Sequence, residues 1–423
     1  MRVSLAALVL FACLPGWGQQ KITLGEAVAI ALKNNPRLEL DRVNSLISEE
    51  VTTEVRSALF PTVVANTTAA GATPDSRLAA GALNNPIIFN RYAAGASISQ
   101  LITDFGRTSS LVASSRLRTR SQQETAVASR ALVVLAVHRA YLSGLRALGV
   151  LGVAEQTVKA RELVLEQVSA LAKSNLRSIL DVSFAEVNLS EARLAVAAAR
   201  NEHQVALAEL SFAMGYSRSQ SLELEDLPGP AEALPETEEF IAEATRNRAE
   251  LSALRFEREA ALRIATAERK LALPTLSALA NMGVAPVHDD RLKNRYAAAG
   301  INLSLPVFNG YLNNARRTEA ELKVQAIDQR LRDLSNQIAR EVTTSVLNAQ
   351  TAFERIGLTE QLLKQAGLAA ELARERYDLG LSSIVELSQA QLNQTAAAIR
   401  GTAAKYDYLL TRSIVEFQTG RLR

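Results

Sequence analysis

The sequence has few of the side chains that enzymes and metal proteins use. Its 423 residues contain one cysteine and three histidines, and aromatic residues make up 5%. A single cysteine cannot form a disulfide within the chain, and none of His138, His203 and His288 has a second ligand at metal-binding spacing. Phosphate-binding glycine motifs and a nucleophile elbow are also missing. We therefore expect no enzymatic activity, no cofactor and no metal site.

The sequence also has little excess of one sign of charge over the other. The 47 Lys and Arg residues against 44 Asp and Glu leave a formal net charge of +3, and no run of like charges stands out. Nucleic-acid-binding domains concentrate far more basic residues on one surface. The composition therefore argues against nucleic acid as a partner.

Long apolar runs are almost absent, and the clearest one lies at the beginning of the chain. It covers 3–14 and is followed by small residues, which is typical of an export signal; we predict a signal peptide at 1–18 with cleavage before Gln19. Cys13 is either part of that discarded signal or the acylated cysteine of a lipoprotein. No later segment is expected to be long and apolar enough for a membrane helix, so a membrane-spanning part would consist of strands.

Proline is missing from 87–227 and from 307–423, whereas alanine is abundant beside leucine, glutamate and arginine. Because proline interrupts a helix and these other residues favour one, both stretches predict long helices. We expect helical hairpins at about 107–216 and about 311–418, the first beginning with a helix at about 107–173. A helix of some 65 residues would be about 100 Å long.

An internal repeat organises the chain. Ile179 aligns with Ile384 at an offset of 205 residues, and Asn175 aligns with Gly380 at the same offset. Asparagine and glycine tolerate the left-handed conformation that ends a helix, so these two residues predict the tip turns of the hairpins.

The repeat divides the chain into two units of the same design. Repeat 1 covers 19–217 and repeat 2 covers 236–423, and 218–235, which contains three prolines, is the predicted linker. Each unit has, in order, short helices, two strands and a long hairpin. We therefore predict a mainly helical fold with a small β part.

The predicted strands alternate apolar and polar residues, as half-buried strands do. They lie at about 62–71 and 91–102 in repeat 1 and at about 274–285 and 295–305 in repeat 2, with polar loops between the members of each pair. Each has about ten residues, which is the length of a tilted membrane-spanning strand. The alternation alone is also compatible with a soluble sandwich.

The number of strands requires an oligomer if the sheet lies in a membrane. Tyr92 and Tyr296 lie near strand starts, where an aromatic belt at the membrane surface would be. Four strands cannot close, and unpaired backbone groups have no water to bond to in lipid. Eight strands from two copies would enclose only side chains, whereas twelve from three copies can enclose a wet pore. The pattern therefore predicts a homotrimer.

Four motifs accompany the repeat: ITLGEAVAIALKNNPRL from Ile22, SQLITDFGR and SLPVFNG at the strand-to-helix junctions, and YDLGLSSIVELSQAQ from Tyr377. In this order they resemble the TolC-type family of outer-membrane efflux proteins, over nearly all of the chain after 1–18. The resemblance implies a trimer with a 12-stranded barrel in outer-membrane lipid and a periplasmic tunnel of helices. It also implies a periplasmic adaptor and an inner-membrane pump, of RND or ABC type, as partners.

The resemblance assigns roles to the hairpin tips as well. Acids just after the tips ring the closed entrance in the family, which implies gate positions at Asp181, Glu386 and Gln389, although Gln389 replaces a second acid. Tyr377 matches an aromatic residue that helps to hold the entrance shut. Acids near helix N-termini are also favoured by the helix dipole alone. Asp181 and Glu386 could therefore simply be solvated acids on the helix surface. The residues expected to meet the adaptor are Leu176, Arg177, Ser178, Leu381, Ser382 and Ser383.

The sequence therefore predicts a passive exit duct in the outer membrane with a closable periplasmic tip, serving a tripartite efflux pump or a type I secretion system. A periplasmic coiled-coil adaptor or a soluble helical scaffold is the alternative. An adaptor usually has one hairpin and compact β-domains, and a scaffold leaves the paired strands unexplained. The motifs do not distinguish drugs, metal ions, polysaccharides or polypeptides as cargo.

Overall fold

The computed structural model describes residues 20–71, 73, 91–229, 237–285 and 293–422. The predicted signal peptide with Cys13 lies outside these described residues. So do nearly all residues of the two loops between paired strands and the last six residues of the predicted linker.

The described chain contains eight α-helices and six strands. The helices are α1 Leu24–Asn34, α2 Pro36–Ser57, α3 Arg107–Lys173, α4 Ile179–Ala213, α5 Thr237–Asn247, α6 Ala249–Arg269, α7 Leu312–Asp378 and α8 Ile384–Gln418. The strands are β1 Gln20–Ile22, β2 Thr62–Ala70, β3 Arg91–Thr103, β4 Leu222–Leu224, β5 Thr275–Val284 and β6 Arg295–Ser304. The mainly helical fold class is thus confirmed, with both long hairpins and both strand pairs.

The helix boundaries follow from local chemistry. Thr23 and Glu26 form a reciprocal capping box at the start of α1, and Pro36 occupies the first position of α2, where its missing N–H costs nothing. At the strand-to-helix junctions, Asp104 accepts a 2.7 Å hydrogen bond from the Thr108 N–H. Asn309, its equivalent in repeat 2, accepts a 3.5 Å bond from the Asn313 N–H.

The structure forms two compact units. The first contains the described residues of Met1–Leu38, Arg130–Ala244 and Arg340–Arg423, and the second contains those of Glu39–Ser129 and Thr245–Ala339. Each unit takes segments from both repeats. The units therefore do not follow the division of the sequence into repeats.

The first unit contains a pair of short strands, one of which lies in the segment that the sequence analysis treated as linker. β4, Leu222–Leu224, pairs in parallel with β1, Gln20–Ile22. The fully buried Tyr141 on α3 places its hydroxyl 2.9 Å from the Ile22 carbonyl and 2.8 Å from the Glu225 carbonyl. These bonds and the buried leucines of β4 fasten this part of the linker to the core.

The second unit contains a four-stranded antiparallel sheet in the order β2-β3-β5-β6. The central pair joins the two repeats, because β3 of repeat 1 pairs with β5 of repeat 2. The outer strands β2 and β6 are paired on one side within the chain. The sheet is thus open at both edges in a single copy.

One sequence expectation about membrane helices was wrong. α3 contains an 18-residue window that is long and apolar enough to cross a membrane, although no such segment was expected after the signal. Of that window, 61% is buried within the fold. The apolar residues of α3 are therefore accounted for by helix packing.

Candidate functional site

The four-stranded sheet has one apolar face and one polar face. Cross-strand register places on the apolar face Val63, Ala65, Ala94, Ala96, Ile98, Ala278, Ala280, Met282, Ala299, Ile301 and Leu303. The opposite face carries Thr62, Asn66, Ser97, Ser99, Ser277, Asn281, Asn302 and Ser304. Val64, Leu101 and Leu279 are apolar exceptions on the polar face, and Thr67, Gln100 and Arg295 are polar exceptions on the apolar face. The predicted alternation is therefore present in the folded sheet.

Both faces of this sheet are uncovered. In β2, β3, β5 and β6 none of the described side chains is buried, and Ile301 and Leu303 are 72% and 65% exposed. Burying a side chain of this size in an apolar environment would contribute about 1.5–3 kcal/mol of stabilisation, which is lost when it stays in water. A sheet with one uncovered apolar face and one uncovered polar face suits a wall between lipid and water.

The two aromatic residues predicted for a membrane-surface belt lie on different faces. Tyr92 pairs with Ala69 on the apolar face, where such a belt requires it. Tyr296 pairs with Gly283 on the polar face. Strand alternation therefore places Tyr296 on the face opposite Tyr92, so the two residues would not form one belt on the apolar face.

The hairpin tips end in the same hydrogen-bonded turn in both repeats. Asn175 has φ 57° and Gly380 has φ 74°, so both adopt the left-handed conformation that their residue types predict. The Leu176 N–H donates to the Leu171 carbonyl at 2.9 Å, and the Asn175 N–H donates to Ala172 at 3.0 Å. This is a Schellman motif. Leu381 and Gly380 donate in the same pattern to Arg376 and Tyr377.

The proposed gate acids lie in the first turns after the tips. Asp181 and Glu386 both occupy the third position of their helices, α4 and α8. The Glu386 carboxylate is 3.6 Å from the Arg376 guanidinium. Gln389 is exposed one turn further along α8, and its amide donates to the Asn393 side chain at 3.2 Å.

Tyr377 is the most buried of the predicted gate residues. Its side chain is 3% exposed and packs with Val164 and Val168 of α3 and Leu387 of α8. Its hydroxyl is buried without a hydrogen-bond partner in the described structure. Burial raises the pKa of Tyr377, and the nearby Asp181 charge raises it further. The ring thus serves as an apolar plug between the helices.

Arg177 contacts Tyr377 rather than pointing away from the protein. Its guanidinium carbon lies 4.2 Å from the centre of the Tyr377 ring, and its Nη2 donates to the Tyr377 carbonyl. The sequence resemblance had assigned Arg177 to adaptor contact, and no pattern in the sequence indicated this pairing. One side chain therefore links the turn of the first hairpin to α7 of the second.

The other predicted adaptor-contact residues fall into three groups. Leu176 and Leu381 are 69% and 68% exposed. Ser178 and Ser383 cap α4 and α8 by accepting hydrogen bonds from backbone N–H groups. The Ser382 hydroxyl is buried without a described partner. The surface that the tips offer is therefore mainly leucine, extended by Ile179 and Leu379, which are 77% and 74% exposed.

Metal-binding groups are not assembled in the part of the chain that the structure describes. No three His, Cys, Asp or Glu side chains lie together there in a way that would hold a metal ion.

Comparison with known protein families gives a match over most of the chain. The family model described as outer membrane efflux protein matches residues 27–216 and 240–420. These two segments correspond closely to the two repeats.

Individual relatives are distant in sequence but similar in fold. The chain is 22% identical to the outer membrane protein TolC of Escherichia coli strain K12, over 92% of this chain and 80% of that protein. A membrane protein from Pseudomonas aeruginosa superposes with a TM-score of 0.83 at 20% identity, over 94% of this chain and 90% of that one. The outer membrane protein VceC from Vibrio cholerae gives 0.82 at 18% identity, over 94% and 96%.

Proposed function

The chain belongs to the outer membrane efflux protein family, and from this premise we propose that three copies form the exit duct of a tripartite efflux pump or a type I secretion system. The protein is an efflux channel of the outer membrane that extends into the periplasm, and its family transports rather than catalyses. The alternatives of a periplasmic adaptor or a soluble scaffold are not favoured.

The observation that carries the proposal is the open sheet with two uncovered faces. Adjacent strands all run antiparallel, so β2 and β6 also run in opposite directions. If β6 of one copy pairs with β2 of the next, every pair in the ring is antiparallel, and head-to-tail pairing of this kind closes a cyclic oligomer. Three copies give twelve strands, which enclose a wet pore with the polar face inside.

Disulfide trapping tests this arrangement. Asn66→Cys in β2 is combined in turn with cysteines in β6 at Ala298, Gly300 and Asn302, all on the polar face. At least one combination should give covalent dimers and trimers, and nothing larger, in outer-membrane fractions. Asn66→Cys with Ser97→Cys is the matched control, because Ser97 lies on an inner strand and can give no link between copies.

A water-soluble monomer, or ladders beyond the trimer, would contradict the closed ring. So would a failure of every β2–β6 combination in protein that has reached the outer membrane. The chain is well suited to this test, because its one cysteine, Cys13, lies in the predicted signal peptide. Mass measurement of the mature protein also tests whether 1–18 is removed or Cys13 is acylated.

The tips are the proposed gate. Arg177 holds the Tyr377 carbonyl and covers its ring, while Asp181 and Glu386 lie on the helix turns that follow the two tips. Copies of these acids brought together around a three-fold axis would attract cations and repel anions. The Arg177–Tyr377 contact would keep the entrance closed, and the acids would select among the ions that enter it.

The exposed leucines of the tips are the proposed docking surface for the adaptor. Leu176 and Leu381 lie on the two turns and are mostly exposed. Exposed apolar side chains at the two tips suit the apolar stripe of another helical hairpin. The energy for transport would come from an inner-membrane pump, since the sequence contains no nucleotide-binding motif.

A further inference from the structure

Tyr296 lies across two glycines on the polar face of the sheet. Gly95, Gly283 and Tyr296 occupy one cross-strand row through β3, β5 and β6. A methyl group built on Gly283 would lie 2.6 Å from the Tyr296 Oη and 2.8 Å from its Cζ, and one built on Gly95 would lie 2.6 Å from the same Oη. The side chain therefore runs across β5 as far as β3, close against the backbone of both strands.

The position of the Tyr296 side chain requires glycine at both 95 and 283. Any other residue at Gly95 or Gly283 would place its Cβ where the tyrosine now lies. Aromatic side chains cover strand glycines in this way, and the contact compensates for the missing side chains. The ring is held on one side by the backbone, and Tyr296 remains 47% exposed.

The row lies next to the loop end of the strands. Val284 and Arg295 form the last β5–β6 pair before the connecting loop, and Gly283 and Tyr296 form the next one. On the polar face the neighbouring side chains are those of Asn66, Ser97 and Asn281. Of the residues described on that face, Tyr296 is the one that carries an aromatic ring.

We propose that Tyr296 is a cargo-contacting residue of the pore, and that its ring, seated on Gly95 and Gly283, stacks with planar aromatic groups of molecules that leave the channel. The proposal rests on the proposed function, in which the polar face lines the lumen. A ring fixed against the backbone loses little freedom when cargo stacks on it, and it presents a π-face beside its hydroxyl. The amide and hydroxyl side chains around it offer no such surface.

Tryptophan fluorescence tests where the ring points. The chain has one tryptophan, Trp17, which lies in the predicted signal peptide, so Tyr296→Trp would be the single tryptophan of the mature protein. In bilayers its emission should be quenched by iodide from the water and little by brominated lipid. Tyr92→Trp, on the apolar face, is the matched control and should show the reverse. Stronger quenching of Tyr296→Trp by brominated lipid than by iodide would overturn the proposal.

Single-channel recording tests the contact with cargo. Proflavine, a planar aromatic cation, is added on the loop side, and the lifetime of its current blockades is measured. Tyr296→Ala should shorten the blockades by about threefold or more, since aromatic stacking contributes on that scale. Tyr296→Phe and Tyr92→Ala should leave the lifetime close to that of the original protein.

The outcomes separate this inference from the function on which it rests. Conducting channels in which Tyr296→Ala leaves the blockade lifetime unchanged would overturn the role of Tyr296 alone. Trimers of the Arg177→Ala variant that insert but never conduct would contradict the proposed duct itself.

Discussion

At the scale of single residues, Arg177 makes one of the contacts that tie one hairpin tip to the other. Its guanidinium donates to the Tyr377 carbonyl and covers the Tyr377 ring. We expect Arg177→Ala to loosen the closed entrance, because cation–π and charge-assisted contacts are lost together. The measurement is single-channel conductance in planar bilayers, where the open fraction should rise. Lys364→Ala, an exposed position on α7, should change nothing; equal effects of both variants would contradict the role of Arg177.

Removing the Tyr377 hydroxyl and removing the Tyr377 ring should have opposite effects on stability. The hydroxyl is buried without a described hydrogen-bond partner, so its removal relieves a desolvation cost. Tyr377→Phe should keep the entrance closed and raise the stability of the trimer by up to about 1 kcal/mol. Tyr377→Ala removes the ring itself and should cost about 3 kcal/mol. The temperature at which trimers dissociate measures both, and a large loss in Tyr377→Phe would show that the hydroxyl is needed.

The contribution of Tyr377 to the stability of the tip should depend on pH in one direction. Burial raises the pKa of Tyr377, and the Asp181 charge adds to the rise. A raised pKa means that the folded state keeps the proton longer than the unfolded state, so this stability is complete below about pH 10 and is lost as the pH rises above it. The phenylalanine variant should not show that loss.

The two proposed gate acids, Asp181 and Glu386, should affect ion selectivity more than stability. Glu386 and Arg376 are 45% and 57% exposed at the side chain and 3.6 Å apart, and ion pairs this open contribute at most about 1 kcal/mol. The double variant Asp181→Ala, Glu386→Ala should therefore assemble normally but lose cation preference, measured as the reversal potential in a salt gradient. Glu209→Ala, an exposed acid on α4 far from the tip in sequence, is the control. An unchanged reversal potential would remove both acids from the gate.

At the scale of the elements, the tip turns depend on a left-handed residue. Gly380 has φ 74° and open space around its Cα, so Gly380→Ala meets conformational strain without a clash. It should lower the stability of the trimer by about 1–2 kcal/mol. Gly367→Ala, within α7 and in ordinary contact distance of Gln394, should instead raise it by up to about 1 kcal/mol. Equal thermal shifts for the two alanine variants would argue against the turn geometry.

The long helices and strands could be predicted from the sequence because their signals are local. Proline-free stretches, the repeat and the pair Asn175 and Gly380 indicate where the hairpins run and turn. β4 could not be found in this way, since three residues in a proline-rich segment become a strand only by pairing with β1, about 200 residues away in sequence.

The candidate site was predictable in part for the same reason. Glu386 at a helix start is a local feature, and the resemblance to a family identified it. The direction of Arg177 towards Tyr377, and of Tyr296 towards Gly95, depends on contacts between different repeats. Single-sequence patterns carry no record of such contacts, so these side chains were assigned to other surfaces.

At the scale of the whole molecule, the two faces of the sheet should respond oppositely to a new charge. Ser277 lies on the polar face and its neighbour Ala278 on the apolar face. Ser277→Asp would add a ring of three carboxylates to the lumen, whereas Ala278→Asp would place the same groups against lipid.

We expect Ser277→Asp to assemble normally and to increase cation preference in a salt gradient. Ala278→Asp should lower the yield of trimers in the outer membrane, because a charge on the lipid face of a barrel is destabilising near the middle of the bilayer. Adjacent positions and an identical substitution make each variant the control for the other. Equal yields and equal reversal potentials would mean that the two faces do not separate lipid from water, and the trimeric barrel would then lose its physical basis.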